Sequence, residues 1–526
     1  MLFVVYVKLL SASVLGVEGR FIEVEVDICS GLPQVSVVGL PDTAVRESVE
    51  RVRAAIKNGG MKFPMDRITI NLAPADMRKE GSAFDLAIAA GILCASGQVD
   101  PALLEHTLFI GELALNGTVR NVPGVLPMTE LARSAGVRRV IVPEDAVEEA
   151  RLISGIEVFG IRSLSQWMGG LEEDRGHVGT IAETVAPPAA RRGVALDTPD
   201  SELDLADVIG QAQGKRALMI AASAMHNILF VGPPGTGKTM LCRRLPTIMP
   251  PLSESEALMV TKIVSVSGKL GNGREGLIRR RPFRSPHHSI SMAGLIGGGS
   301  IPKPGEVTLA HHGILFLDEL AEFSRASLEA LRQPIEDREV TIGRARGVCR
   351  FPARFLLAAS MNPCPCGFAG GSPDDRPCTC SPLAIARYRA RMSGPLADRL
   401  DLQVELPRQP VRVMDRNSLT SEEAKGIVIE AAERQKSRYA RHGIRWNSEL
   451  QGSLLHTYAA AMMASDAEQL LHVVYERLGL SYRAHDRILK VSRTIADLAG
   501  RETIRSEDVA EAIGYRCLDK NVEDAG

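Results

Sequence analysis

The sequence predicts an α/β protein of several domains whose central part contains a parallel sheet. At 526 residues the chain is too long for one hydrophobic core, so we expect roughly two to four domains. From Leu203 onward, strands that are apolar along their whole length are followed by helices, and the strand candidates are "HNILFVG", "GILFLDEL" and "RFLLAAS". Because strands of a parallel sheet are buried on both faces, these runs indicate a parallel sheet.

The regions on either side of this central part have different patterns. Residues 1–175 alternate β-rich runs such as "RITINLA" with helical stretches such as "VRESVERVRAAIKNG", which predicts a first domain of the α/β or α+β class. Residues 176–200 are small, contain Pro and lack sustained periodicity, as a linker does. We assign 201–410 to the parallel-sheet domain and 411–526, where amphipathic helices replace strands, to a small helical domain.

The composition favours a soluble, cytoplasmic protein. The opening stretch "MLFVVYVKLLSASVLGVEGR" has no basic region at its start, and Lys8 interrupts its apolar run, so we interpret it as strands and not as a signal peptide. No stretch reaches the roughly 18 uninterrupted apolar residues of a membrane-spanning helix, so no membrane partner is expected. The formal net charge of -1 excludes a globally basic surface, so a nucleic-acid partner would require a local group of cations.

The segment "ILFVGPPGTGKTML" has the pattern of a phosphate-binding loop between a strand and a helix. Backbone N–H groups of such a loop hold the phosphates of ATP or GTP, the Lys contacts the outer phosphates, and the Thr binds magnesium. The predicted nucleotide site consists of Gly232, Pro233, Pro234, Gly235, Thr236, Gly237, Lys238 and Thr239.

Polar residues at the ends of two other apolar strands complete this predicted site. Asp318 and Glu319 follow "GILFL"; we expect Asp318 to position magnesium and Glu319 to polarise the attacking water. The alternative is that "DEL" only caps a helix. Asn362 follows the strand "RFLLAASM", where it could orient water between the acidic pair and the nucleotide.

These motifs, followed by "GPLADRLDL" and "SYRAHDRILKVSRTIADL", resemble an AAA+ ATPase of the magnesium-chelatase-like group. More closely, "RPFRSPHHS", "GEVTLAHHGILFLDEL", "LRQPIEDREVTIGRA", "MNPCPCG" and "SGPLADR" are similar to the ComM/YifB family of bacterial magnesium-chelatase-like ATPases, over residues 5–516. The resemblance implies an AAA+ P-loop core with a parallel sheet and a helical lid.

The resemblance also implies roles for three further side chains. Asn362 falls on the first sensor, Arg399 on the arginine finger that is supplied to the ATP of a neighbouring subunit, and Arg483 on the sensor arginine of the lid. Without the family, Arg399 could form a surface ion pair and Arg483 could be a solvated helix residue. An arginine supplied in trans implies self-association into a ring, for which the family suggests a hexamer.

The first domain resembles the Lon-protease-like fold through "APADMRKEGSAFDLAIAAGIL" and "IGELALNGTVRNVPGVLPM". In that alignment the catalytic Ser and Lys positions fall on Ala83 and Leu126, so the dyad is missing. Ser82 and Lys79 lie nearby and leave a shifted dyad open. We interpret this domain as a binding or assembly module.

Two segments between the motifs carry further candidate residues. The interval from Arg281 to Val307 is rich in Gly and Pro, and the family has a helix-2 insertion there, whose His287 and His288 could be metal ligands, pore residues or structural loop residues. After it, "EVTI" and "VCRF" predict a hairpin around "GRARG". Arg344 and Arg346 at its tip are candidate phosphate contacts, with a merely solvated tip as the alternative.

Four of the nine cysteines are concentrated in "MNPCPCGFAGGSPDDRPCTCSP". Two C-x-C pairs separated by eleven residues let Cys364, Cys366, Cys378 and Cys380 converge as the four thiolates of a structural zinc site. Redox-active thiols and unliganded cysteines are the alternatives, and a disulfide framework is disfavoured because the other five cysteines are scattered singly.

The sequence therefore predicts an ATP- and magnesium-dependent ring motor that translocates on or remodels DNA. The competence branch of the family implies a branch-migration helicase in natural transformation or recombination. The competing hypotheses are a metal-insertion motor of the magnesium-chelatase type and an ATP-dependent protein unfoldase or protease, because AAA+ rings drive many different tasks.

Overall fold

A computed structural model describes residues 6–173, 203–270, 276–299, 302–344, 347–370, 376–392, 394–408 and 418–516. The chain forms two compact units, which are described separately: one is Met1–Ala195 with Ala257–Arg279, and the other is Leu196–Glu256 with Arg280–Gly526. The predicted linker at 176–200 lies outside the described residues, and the domain boundaries stay predictions.

The first unit is built on a seven-stranded mixed sheet with the strand order β3-β4-β2-β1-β5-β8-β9. β2 is antiparallel to both β1 and β4, and the other neighbours in this sheet are parallel. A short antiparallel pair, β6 and β7, lies outside it. The strands are β1 (Tyr6–Leu15), β2 (Glu18–Cys29), β3 (Gln34–Val38), β4 (Arg67–Ala73), β5 (Thr107–Phe109), β6 (Glu112–Leu113), β7 (Val119–Arg120), β8 (Arg139–Pro143) and β9 (Glu157–Ile161).

Helices cover both faces of this sheet, because successive residues of a strand point to opposite faces. Ile141 packs in a cluster with the helices α1 and α2, whereas the adjacent Val140 and Val142 pack in a second cluster with α3 and α4. The helices are α1 (Thr43–Asn58), α2 (Asp85–Ala95), α3 (Val125–Ser134), α4 (Val147–Ala150) and α5 (Leu164–Glu173). The described part of the first unit thus has helices on both faces of a mixed sheet.

The second unit contains a five-stranded sheet with the order β11-β14-β17-β10-β18, in which every neighbouring pair is parallel. The predicted parallel sheet is therefore present. The strands of the unit are β10 (Ile228–Val231), β11 (Phe283–Arg284), β12 (Gly297–Gly298), β13 (Lys303–Pro304), β14 (Ile314–Leu317), β15 (Glu339–Arg344), β16 (Gly347–Pro352), β17 (Leu356–Met361) and β18 (Leu402–Glu405).

The remaining helices of the chain fall into an earlier and a later group. The earlier ones are α6 (Ala212–Ala224), α7 (Lys238–Ile248), α8 (Glu254–Val266), α9 (Met292–Ile296), α10 (Glu306–Leu309), α11 (Arg325–Ala330), α12 (Arg332–Asp337), α13 (Pro382–Arg389) and α14 (Gly394–Ala397). The later ones are α15 (Ser421–Arg438), α16 (Gly452–Tyr458), α17 (Ser465–Arg477), α18 (Tyr482–Leu498) and α19 (Ser506–Gly514). From Ala257 onward, α8 belongs to the first unit.

The C-terminal helices share one hydrophobic core with the parallel sheet. Polar contacts fasten them to the sheet as well: His226 at the start of β10 contacts Thr494 Oγ1 on α18 at 2.8 Å. Arg216 on α6 donates two hydrogen bonds to Glu511 on α19, at 2.9 and 3.2 Å. Because apolar and polar contacts coincide, the helical region and the sheet form one folded unit.

The predicted strand near the start of the chain is present. β1 pairs with β2 from Tyr6↔Asp27 to Leu15↔Glu18, so this stretch is an interior strand of the sheet. Within the described ranges, no helix has the length and apolar character that crossing a membrane requires.

Candidate active site

The phosphate-binding loop lies between β10 and α7, as the sequence predicts. β10 is fully buried and lies between β17 and β18, so the loop leaves the sheet at its carboxyl edge. Gly235 and Gly237 have φ of 81° and 88°, which residues with a Cβ rarely adopt. A Cβ at Gly232 would lie 2.4 Å from the Leu406 carbonyl oxygen, so the glycines are required by backbone conformation and close packing.

Lys238 is buried at the first position of α7 and points back into its own loop. Its Nζ donates to the carbonyl oxygens of Gly232 and Pro233, at 2.7 and 2.8 Å, and to Asn362 Oδ1 at 3.2 Å. Burial lowers the pKa of the Lys238 ammonium, while the carboxylates of Asp318 and Glu319 oppose this shift. The structure thus joins the loop lysine to the predicted first-sensor residue.

Thr239 near the start of α7 meets Asp318, which follows β14. Thr239 Oγ1 donates to Asp318 Oδ2 at 3.0 Å, and the Ser360 hydroxyl donates to Asp318 Oδ1. Hydroxyl and carboxylate oxygens are the ligands that magnesium prefers. The residues present therefore fit the predicted magnesium position.

Glu319 has a left-handed backbone conformation, with φ 54° and ψ 50°. Its N–H donates to Asp318 Oδ1 at 3.2 Å and to Ser360 Oγ at 3.3 Å, which fixes the turn after β14. Its side chain is 59% exposed, and His288 Nδ1 lies 3.9 Å from its Oε2. Glu319 therefore projects from the sheet edge toward solvent.

Asn362 also contacts the helix α13. Its backbone N–H donates to the buried Tyr388 hydroxyl on α13, and burial raises the pKa of Tyr388 to about 12. The helix α13 begins directly after the cysteine-rich segment. The sequence pattern gave no indication of this tyrosine, because its contact depends on how that segment returns to the sheet.

Arg399 and Arg483 lie together, and apart from the phosphate-binding loop. Arg399 is only 3% exposed; it donates to Glu336 and to the Pro395 carbonyl. The Arg399 guanidinium, with a smaller contribution from Arg483, lowers the pKa of Glu336. Glu336 and Arg483 line a polar cleft of about 440 Å³, and residues 232–239 are not among the described residues that line it. The structure therefore does not bring Arg399 and Arg483 together with Lys238, Thr239, Asp318 and Asn362.

The predicted hairpin is present as the antiparallel pair β15 and β16, with Arg344 opposite Gly347. Arg346 and the side chain of Arg344 lie outside the described residues. The rings of His287 and His288 contact each other in a tilted arrangement, with centroids 4.0 Å apart. They are not part of a cluster of three or more metal-ligating side chains within the described ranges.

The four predicted cysteine ligands converge. Cys364 Sγ lies 3.3 Å from Cys366 Sγ and 3.8 Å from Cys378 Sγ, and all four sulfurs, including that of Cys380, lie within 4.8 Å of one another. Thiolates bound tetrahedrally at about 2.3 Å from zinc lie roughly 3.8 Å apart, so the donor set fits this metal. Backbone N–H groups lower the pKa of the Cys366 thiol to about 6. No disulfide joins the eight cysteines in the described part of the chain.

The cysteine loop packs against the phosphate-binding loop. Gly367 has φ of 89°, and a Cβ there would lie 2.8 Å from Pro234 Cδ and 2.9 Å from its Cγ. The two loops are therefore in direct contact, and this contact leaves no space for a side chain at position 367.

The Lon-like stretch of the first unit does not form a shifted dyad. The Ser82 hydroxyl donates to Glu112, whereas the buried Lys79 ammonium donates to the carbonyl oxygens of Pro74 and Met77. Leu126 is buried in α3. Burial also lowers the pKa of Lys79, but its contacts with carbonyl oxygens direct it away from Ser82.

Gln211 is a site residue that the sequence analysis did not identify. Its backbone is left-handed, with φ of 51°, and its buried side chain donates to the carbonyl oxygens of Thr236 at 3.1 Å and Pro407 at 2.8 Å. Gln211 thus ties the phosphate-binding loop to the segment after β18. Pro407 is 196 positions away in the chain, so no local spacing pattern could reveal this contact.

Three family descriptions match successive parts of the chain. They are "Magnesium chelatase, subunit ChlI" over residues 204–414, "Subunit ChlI of Mg-chelatase" over 24–146, and "Magnesium chelatase, subunit ChlI C-terminal" over 418–516. The first of these covers all the predicted ATP-site residues except Arg483, which lies in the third.

Two relatives are similar over nearly their whole length, and a third over about a quarter of it. Competence protein ComM of Haemophilus influenzae is 42% identical over 515 residues, covering 97% of both chains. Protein YifB of Salmonella typhimurium is 43% identical over 509 residues, covering 96% of both chains. Lon protease 2 of Bacillus subtilis is 27% identical over 166 residues, which cover 28% of this chain and 29% of the protease.

Proposed function

The chain belongs to the ComM/YifB family of magnesium-chelatase-like AAA+ ATPases, and on that basis we propose that it is an ATP-hydrolysing, ring-forming motor that acts on DNA. The observation that carries this proposal is the convergence of Lys238, Thr239, Asp318 and Asn362 at one edge of the parallel sheet, with Glu319 projecting beside them.

In the proposed mechanism each of these side chains has a separate task. Lys238 exchanges its carbonyl partners for the outer phosphates of ATP, and the carboxylate of Asp318 with the hydroxyl of Thr239 holds magnesium. Bound magnesium neutralises charge on the phosphates. Glu319 polarises the attacking water, and Asn362 orients it. The exposure of Glu319 supports this role, because its carboxylate is accessible to water at the sheet edge.

The positions of Arg399 and Arg483 support the proposal that subunits assemble into a ring. Arg399 and Arg483 share the neighbourhood of Glu336 and lie away from the phosphate-binding loop of their own chain. We propose that they act on ATP held by a neighbouring subunit. A head-to-tail interface of this kind closes into a ring, and the family resemblance favours a hexamer.

DNA is the proposed substrate on which the ATPase acts. One relative is named as a competence protein, and this supports a role in natural transformation or recombination, such as branch migration. The hairpin β15 and β16 supports it as well, because its two tip arginines provide a local positive charge on a chain of net charge -1.

Substitution of the two hairpin arginines tests the proposed DNA contact. Changing Arg344 and Arg346 to Ala should weaken binding of every DNA sequence alike, flatten its salt dependence, and abolish stimulation of ATPase activity by forked DNA, because phosphate contacts are sequence-independent. Fluorescence anisotropy at several salt concentrations and phosphate release with and without DNA measure these effects.

The control variant carries the same change in charge elsewhere. Lys425→Ala with Lys436→Ala removes two exposed cations from α15 and should leave DNA binding unchanged. If the hairpin variant retained its DNA affinity, salt slope and DNA stimulation, the proposed role of the hairpin would be wrong. Stimulation by unfolded protein and not by DNA would favour the unfoldase, to which the similarity to Lon protease 2 points.

A metal-insertion motor is the second candidate, because all three matching families are described by the magnesium-chelatase subunit. The metal-insertion hypothesis assigns no role to the four-cysteine loop of this chain. A wild-type protein whose ATPase activity responded neither to forked DNA nor to unfolded protein would favour this candidate.

We also propose that the four cysteines bind zinc as a structural metal. Protein purified without chelator should contain about one zinc per chain, and the double variant Cys364→Ser with Cys378→Ser should lose it, because two of the four ligands are removed. Elemental analysis of both proteins measures this. Cys29→Ser, which removes an exposed thiol outside the cluster, is the control and should keep its metal. Unchanged zinc in the double variant would place the metal elsewhere.

A further inference from the structure

Asn227 is the residue before β10, at the opposite end of this strand from the phosphate-binding loop. The four residues of β10 that separate it from Gly232 span roughly 13 Å of extended chain. Asn227 lines the polar cleft together with Glu336 and Arg483. It therefore lies with the arginines and not with the residues that are proposed to hold the phosphates of ATP.

Main-chain contacts of Asn227 fix the segment that carries Arg399. The Asn227 carbonyl oxygen accepts from the N–H groups of Asp401 and Leu402, at 2.9 and 3.0 Å. The Asn227 N–H donates to Asp401 Oδ2 at 2.9 Å. Since these contacts use only the main chain of residue 227, any residue except proline can make them.

The Asn227 side chain adds two contacts that require an amide. Its Nδ2 donates to the Arg399 carbonyl oxygen at 3.1 Å, and its Oδ1 accepts from the Leu357 N–H at 2.9 Å. Leu357 belongs to β17, which pairs with β10 on the side opposite β18. An amide has a donor and an acceptor on one planar group, so it bridges β17 to the peptide group of Arg399, whereas an ionised carboxylate provides only acceptors.

The Arg399 side chain, in contrast, has partners that it must exchange before it can act on ATP. Its guanidinium is 4% exposed and donates to Glu336 and to the Pro395 carbonyl oxygen. Its buried Nε has no hydrogen-bond partner in the described part of the chain. If the guanidinium leaves Glu336 for a phosphate, the Arg399 peptide group can stay bonded to Asn227. The position that the guanidinium reaches then depends on where this peptide group is held.

We propose that Asn227 is a positioning residue for the arginine finger, whose amide holds the Arg399 peptide group so that the guanidinium meets the ATP of the neighbouring subunit. This inference rests on the proposed function of Arg399. A misplacement of about 1 Å at a catalytic group can lower a rate by roughly 10²-fold. Loss of the amide should therefore lower kcat and leave the phosphate-binding loop intact.

The test variant is Asn227→Asp, which keeps the Oδ1 acceptor for Leu357 and replaces the Nδ2 donor by an oxygen that repels the Arg399 carbonyl. Its kcat for ATP hydrolysis should fall roughly 10- to 100-fold with the KM for ATP unchanged. Asn227→Ala, which removes both side-chain contacts and adds no charge, should show the same loss. Melting temperatures show that each variant is folded.

The matched control is Asn58→Asp in the first unit. Asn58 Nδ2 also donates to a backbone carbonyl oxygen, that of Leu115 at 2.7 Å, so the same chemical change is made away from Arg399. The kcat of this variant should stay at the wild-type level.

Two comparisons separate positioning from a general structural defect. In an Arg399→Ala background, Asn227→Asp should lower kcat by less than about two-fold, because the group that it positions is already absent. Rings mixed from Asn227→Asp and Lys238→Ala subunits should recover about one quarter of wild-type activity, since intact phosphate-binding loops then face correctly held Arg399 side chains. A structural defect in the Asn227→Asp subunit would impair its own phosphate-binding loop, raise KM and resist this rescue.

The outcomes for Asn227 and for Arg399 can be told apart. Wild-type kcat in folded Asn227→Asp and Asn227→Ala, or a fully additive loss in the double variant, would overturn the inference and leave the role of Arg399 intact. If Arg399→Ala lost activity but no mixture recovered, Arg399 would act within its own chain, and the double variant would still decide the role of Asn227. Wild-type kcat in Arg399→Ala, or a wild-type protein without ATPase activity, would overturn both proposals.

Discussion

The Glu319→Gln protein should bind ATP with nearly wild-type affinity and hydrolyse it about 10³-fold more slowly. The amide has the shape of the carboxylate but cannot accept a proton from the attacking water, and a positioned base contributes roughly 10²- to 10⁴-fold to a rate. Because Glu319 is 59% exposed and takes no part in the contacts of Lys238, the substitution should not disturb the phosphate-binding loop.

Lys238→Ala, in contrast, should weaken ATP binding itself. Loss of the charged contacts to phosphate should weaken ATP binding by roughly 10- to 100-fold, as expected for hydrogen bonds to a charged group. Titration with a fluorescent ATP analogue and assay of phosphate release separate the two variants.

Glu322→Gln is the matched control for Glu319→Gln. It changes a nearby acid that pairs with Arg391 at 3.0 Å, and its turnover should stay at the wild-type rate. Full turnover by Glu319→Gln would remove Glu319 from the mechanism.

The Arg399→Ala protein should lose about 10³-fold in kcat, and mixing it with Lys238→Ala should restore part of the activity. An arginine finger stabilises charge in the transition state and typically contributes 10³-fold or more. In the mixture, a phosphate-binding loop from an Arg399→Ala subunit can face an intact Arg399 from a Lys238→Ala subunit. Random association at equal concentrations makes such pairs about one quarter of the interfaces, so about one quarter of wild-type activity should return.

Two measurements make the mixing experiment conclusive. Arg399 is buried, so the melting temperature of Arg399→Ala must first show that the subunit is folded. Differently tagged subunits, recovered together, show that mixed rings have formed. No recovery of ATPase activity in such rings would mean that Arg399 does not act across the subunit interface.

The strands and the site residues that they carry could be predicted because their signals are local. β10, β14 and β17 are short, fully buried runs, and their polar residues follow directly at the carboxyl ends. In a parallel sheet these ends lie at one edge, so the convergence of Lys238, Asp318 and Asn362 followed from the order of strand and motif. The four cysteines were predictable for a similar reason, since each C-x-C pair keeps two thiols close.

The remaining features depend on contacts between distant parts of the chain. Ser360 hydrogen-bonds Asp318 only because β14 and β17 are neighbours, and an alternation of apolar and small residues does not specify that hydroxyl. Glu336 pairs with Arg399 from 63 positions away. The assignment of residues 257–279 to the first unit could not be predicted either, because an amphipathic helix does not indicate which core its apolar face joins.

The contact between Gly367 and Pro234 has a thermodynamic consequence. Because the two loops pack without space for a methyl group, a change in the conformation of one changes the free energy of the other. Coupling between two binding sites is reciprocal. If the cysteine loop binds a metal and the phosphate-binding loop binds ATP, as proposed, each ligand would change the affinity for the other by the same factor. The retention of metal under a chelator would then depend on nucleotide.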